Sequence, residues 1–153
     1  VDRRTFVAGA GALAGTVASS TLMAKNDHHH HHGKSRVWTK AEKNLVSVGE
    51  SCVSSGKICT SHCIDQLMSG NTKMAECHQS VLNMTEVVQT MVNTIIHGGG
   101  SKKSQKALAE TCILYCEDCK KSCEVHVKHH KECKDCAESC DECIKACQMY
   151  LKA

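Results

Sequence analysis

Thirteen cysteines in a chain of 153 residues fall at helical spacings. In CKDCAESCDECIKAC, residues 133–147, the gaps are three, four, three and four, the seam of a helix that buries one face. Cys112, Cys116, Cys119 and Cys123 follow the same rhythm, and Cys52, Cys59 and Cys63 share a stripe with Leu45 and Val48. Cys77 sits on the stripe of Met74, Val81, Met84, Val88, Met91 and Ile95. Every thiol therefore lies on a face that must be covered. Buried thiols can pack as small hydrophobes, pair as disulfides, or ligate a soft metal.

Packing alone explains one or two such residues, not 13. Disulfide scaffolds are usually small and loop-rich, and partners three or four apart on one helix make strained bridges. An odd count also leaves one thiol over. A disulfide-stapled exported helical protein stays open as the alternative. Among metals, zinc sites usually pair ligands from knuckles or helix ends, and iron–sulfur runs have their own spacing; neither pattern stands in this sequence. Long rows of thiolates suit an ion content with two or three sulfurs, which is Cu(I), with other soft or borderline metals behind it. The pairs Cys59/Cys63, Cys112/Cys116, Cys119/Cys123, Cys136/Cys140 and Cys143/Cys147, each four residues apart, could each clamp one ion.

Four helical segments have to position these residues. The first spans about 39–68 and stops at SGN; the second runs from Thr72 to the glycines at 98–100. The third covers about 101–127 and the fourth about 130–151, with short connections throughout. Short connections favour antiparallel neighbours, so the fold class is all-α, an antiparallel up-down-up-down four-helix bundle with a cysteine-lined core. In that arrangement Cys63, Cys77, Cys123, Cys133 and Cys136 lie near one end, followed by Cys59, Cys119 and Cys140, then Cys116 and Cys143. Cys52, Cys112 and Cys147 lie deepest, roughly 27 Å in at 1.5 Å per residue. Beyond them Leu45, Val48, Met91, Ile95 and Leu108 form an aliphatic plug. His62, Met74, His78, His126, His129 and His130 surround the open end, where neutral imidazole and thioether can hold Cu(I) without releasing a proton.

The remaining stretches are read by composition. Residues 1–24, with Arg3 and Arg4 ahead of a run rich in Gly and Ala, read as a twin-arginine-like export signal, cleaved between about Ala18 and Ala24. That places the mature protein in the periplasm or a membrane-associated exported compartment, without a membrane anchor once the signal is removed. Residues 25–38 read as a flexible tail whose His28–His32 run is either an affinity-tag remnant or a metal-collecting arm. The bundle then occupies 39–153. A formal net charge of +3 gives no reason to propose nucleic acid as a partner. No βαβ pattern, Ser/His/Asp grouping or phosphate loop supports an enzyme.

CTSHCIDQL (59–67), CILYCEDCKKSC (112–123) and the opening stretch together resemble the exported copper storage proteins first associated with methane-oxidising bacteria. The resemblance covers about residues 39–151. It implies Cu(I) held by cysteine pairs inside the bundle, up to about one ion per thiol. It also implies a homotetramer and a role supplying copper enzymes such as particulate methane monooxygenase, with a copper chaperone or detoxification protein as the alternative. His62 and Met74 match the histidine and one methionine that the family places at the mouth. Gln66 and Ser69 stand where further methionines are expected.

Overall fold

Thr39 starts the first helix. Its hydroxyl accepts from the Glu42 backbone N–H at 3.1 Å, while the Glu42 carboxylate accepts from the Thr39 N–H at 2.9 Å. This capping box satisfies donors at both ends of the turn. The computed structural model describes residues 36–153, so the readings placed on residues 1–35, including the signal and His28–His32, lie outside it. Helix α1 runs Lys40–Met68, and a single 3-10 turn at Thr72–Met74 leads into α2, Ala75–His97. Helix α3 is Lys102–Glu124 and α4 is Lys131–Lys152. No strand occurs among the described residues.

The turns stop the helices by ordinary means. Gly98 closes α2 in the left-handed region, at φ 65°, where its N–H and that of Gly99 take up the carbonyls of Ile95 and Thr94. Ser101 caps α3 through the Ser104 N–H at 3.1 Å. Helix α1 packs against α2 and α4, and α3 packs against the same two, closing a four-membered ring. The antiparallel four-helix bundle expected from the short connections is the fold.

The plug differs in detail from the sequence reading. Val48 and Leu108 are only half-buried; Gly49 and Ala109 take the inward positions beside them. A Cβ on Gly49 would stand 2.5 Å from Val92 Cγ2, and one on Gly56 would stand 2.4 Å from Thr85 Cγ2. Helices α1 and α2 thus meet backbone to side chain at two glycines, which turns the neighbouring large residue aside. Leu45, Val88, Met91, Val92 and Ile95 fill the space left, each at most 1% exposed. Each contributes about 1.5–3 kcal/mol relative to exposure.

Polar groups cap this end. Glu42, only 3% exposed, accepts from Arg36 at 2.8 Å and from Lys102 at 3.2 Å. Its hydrogen bond from the Thr39 backbone, with Lys102 and Arg36, outweighs burial and holds the carboxyl at about 2. Arg36 also donates to the Ile95 carbonyl at the end of α2. Buried Gln105 accepts from Tyr150 Oη at 2.7 Å and donates to the Gly99 carbonyl at 2.9 Å. The end is sealed.

Candidate metal centre

The cysteine spacing puts about one thiol per turn of α3 and α4 on the axis, with Cys52, Cys59 and Cys63 from α1 and Cys77 from α2, and the ring of helices brings them together. All 13 thiols are free and buried. At the open end Cys59, Cys63, Cys77 and Cys133 have sulfurs all within 4.8 Å of one another, drawn from α1, α2 and α4. Cys59–Cys133 and Cys63–Cys77 each measure 3.9 Å, and Cys77–Cys123 measures 3.5 Å. One step inward Cys59 joins Cys123 and Cys136, and then Cys136 joins Cys119 and Cys140. Cys52, Cys116 and Cys143 form the next group. Cys112 and Cys147 interact at the inner limit, where Cys112 also approaches the Val87 carbonyl at 3.6 Å.

These groups regroup the pairs proposed along single helices. Cys59/Cys63 and Cys136/Cys140 do share a group. Cys112/Cys116, Cys119/Cys123 and Cys143/Cys147 do not fall within one such group. Spacing along one helix sets which face a thiol occupies; it does not choose the partner across the axis.

The thiols differ in proton affinity. Donation from Cys133, Cys59 and Cys77 draws Cys63 well below the ordinary thiol range, and Cys116, Cys140 and Cys143 do the same for Cys52. Cys59 and Cys140 serve chiefly as donors to their neighbours and, being buried as well, are pushed up. Within the open-end group the lowered Cys63 thus sits against Cys59, Cys77 and Cys133, which are all pushed up. A thiolate that forms has a neutral S–H beside it to hold it.

Around the open end, His62 Nε2 and His130 Nδ1 lie 2.8 Å apart, and His62 Nδ1 is 3.6 Å from a Glu132 oxygen. His126 packs edge-on to His130 with ring centroids 6.1 Å apart. Burial, then the neighbouring imidazoles, push the His130 pKa down, which favours the neutral ring that ligates metal. His126, His129 and His130 line a cavity of about 560 Å³ beside them, whereas His78 is not among its lining residues. Met74 is fully buried just ahead of Cys77. Met84 meets a thiol: its sulfur is 3.5 Å from Cys52. Ser139 donates to the same cysteine at 3.8 Å. Met84 was legible only as core, since methionine at helical spacing is the ordinary filler of such a seam; Glu132 and Ser139 gave no signal.

The family model for Csp, copper storage protein, matches residues 38–152. Among curated proteins none matches. Two solved structures from Streptomyces lividans are similar. One is the copper storage protein Ccsp loaded with 10 copper equivalents: 22% identity, TM-score 0.67, covering 73% of this chain and 84% of that one. The other is a cytosolic copper storage protein with five coppers: 22% identity, TM-score 0.67, covering 74% and 93%. At this identity they bear on the fold.

The exported location expected from residues 1–24 is corrected here, because the likeness runs to a protein described as cytosolic. The physical reason is that the bundle carries no compartment signature of its own; that expectation rested wholly on residues outside the structure. Nor is any described helix long and apolar enough to cross a membrane. With its family match running from Trp38 to Lys152 across all four helices, the chain belongs to the copper storage protein family.

Proposed function

We propose that the bundle at 39–153 stores Cu(I), holding up to about one ion per cysteine along its axis. The ligands are Cys52, Cys59, Cys63, Cys77, Cys112, Cys116, Cys119, Cys123, Cys133, Cys136, Cys140, Cys143 and Cys147, with His62 and Met74 serving the mouth. The observation that carries this reading is the sharing of sulfurs: Cys59 and Cys136 each belong to two adjacent groups. Shared thiolates let neighbouring Cu(I) ions bridge, so each added cation offsets an added anion. An isolated two-thiolate site would leave a buried net charge of minus one, which is costly away from water. Loading expels thiol protons, and an open end lined by imidazoles is where ions exchange.

Storage implies release rather than turnover, so no catalytic residue is assigned. The recipients are copper enzymes, of which particulate methane monooxygenase is the kind suggested by the family resemblance, and the working unit is a homotetramer. A chaperone passing on one ion would need an exposed pair, and every thiol here is buried. Anaerobic titration of reduced protein with Cu(I) against a chromogenic chelator tests the reading. Storage predicts uptake continuing to about a dozen ions per chain. A plateau at about one or two ions favours the chaperone.

A further inference from the structure

We propose that Cys59, Cys63, Cys77 and Cys133 form a tetrahedral four-thiolate site for one divalent ion of borderline softness, zinc foremost. The other three sulfur groups hold three thiols each, a number that satisfies Cu(I) but leaves zinc a ligand short. This group alone among the described residues offers four. Four sulfurs all within 4.8 Å of one another cannot lie flat without closing inside sulfur contact distance, so they enclose a pyramid. A zinc–sulfur bond of about 2.3 Å gives a tetrahedron with edges of about 3.8 Å. The Cys59–Cys133 and Cys63–Cys77 separations, 3.9 Å each, already match that edge. Those two edges need almost no movement on ligation, and the remaining ones lie within 4.8 Å.

The sequence contains no zinc knuckle because the ligands come from three helices. Cys59 and Cys63 lie one turn apart on α1, Cys77 enters from the start of α2, and Cys133 from the start of α4. Binding replaces four S–H bonds with four metal–sulfur bonds and releases the thiol protons to water, with no change of oxidation state. It would tie α1, α2 and α4 together at the open end, where the aliphatic plug gives no support. The proposal concerns one of the sulfur groups assigned to copper but does not require copper storage to be correct.

Cobalt reports such a site directly, since tetrahedral thiolate coordination gives intense visible bands and sulfur-to-metal charge transfer. Co²⁺ is titrated anaerobically into the reduced full chain, followed by Zn²⁺. The expected result is that spectrum saturating at about one Co²⁺ per chain and disappearing as Zn²⁺ displaces it. Cys133→Ser loses the spectrum, while Cys147→Ser, whose sulfur lies outside the group, keeps it. His28–His32 can bind cobalt through nitrogen but cannot produce the charge-transfer band. A wild-type chain without that band overturns the proposal, and so does equal loss in both variants when circular dichroism shows both folded. If Cys133→Ser does not fold, Cys77→Ser takes its place and the wild-type spectrum still decides. A Cu(I) plateau of one or two ions with the cobalt spectrum intact sinks storage alone; high Cu(I) capacity without that spectrum sinks this site alone.

Discussion

At the sealed end, Leu45, Val88, Met91, Val92 and Ile95 fill the axis, and Glu42, Gln105 and Tyr150 finish it with paired hydrogen bonds. At the open end the axial positions of three helices are almost all sulfur, and the polar groups above them are imidazoles. Both ends exclude water, yet by different chemistry. Aliphatic packing is strong and has no further use. A column of thiols packs less apolar volume, but each contact is also a potential metal bridge. The difference separates what holds the bundle together from what it can hold.

The separation can be broken most sharply at the plug. Leu45→Ala or Ile95→Ala is expected to cost about 2–5 kcal/mol in denaturant unfolding, because both sites are fully buried. Copper capacity should hardly change. Capacity falling in step with stability would show that plug and column are one unit.

A second test uses the close approach of α1 and α2. Gly56→Ala places a methyl against Thr85 Cγ2 and Met84 Cε, and the β-branched threonine cannot swing clear. A loss of about 1–3 kcal/mol is expected. Because Met84 touches Cys52, this change should also disturb loading at the Cys52, Cys116 and Cys143 group. Gly49→Ala, against Val92 in the plug, should cost similar stability without that disturbance. Comparing ions bound by the two variants checks the boundary between the regions.

Acid probes the sealed end. Glu42 has a folded pKa of about 2, below the usual carboxylate range, so its contribution is complete above the unfolded value. It fades as pH falls from about 4.5 toward about 2. Glu42→Gln should lose about 1–3 kcal/mol at neutral pH and flatten the stability profile over that window. An unchanged acid slope in chemical denaturation would place the sensitivity elsewhere.

The smallest effect on equilibrium belongs to the open end. A His62→Ala, Met74→Ala variant should exchange Cu(I) with a competing chelator at altered rates, while capacity stays within about one or two ions. His62→Ala alone should account for most of the change, since Met74 is fully buried. Equal rates in both directions would leave the histidines as solvated end groups.

Much of this was legible in the sequence because a single periodicity carried it. The rhythm of cysteines specified four stripes, and short connections folded them antiparallel. The order of thiols along the axis followed from 1.5 Å per residue. What escaped were relations across the axis. Nothing in Cys112–Cys116 spacing says that Cys116 turns to Cys52 and Cys143. Nothing in the sequence marks Gly49 and Gly56 as the points where a Cβ would collide with α2, or Val48 as only half-buried beside the first. The four-sulfur group was hidden for the same reason, since 56 residues separate Cys77 from Cys133 in the chain.

The division of the bundle into a metal column and an inert plug is tested most directly by anomalous diffraction at the copper edge, on crystals of fully loaded protein. Copper sites are expected between the helices, beginning near His62 and Cys133 and ending at Cys112 and Cys147, with none around Leu45, Met91 or Ile95. Copper confined to the outer surface, or lodged among the plug residues, would contradict it.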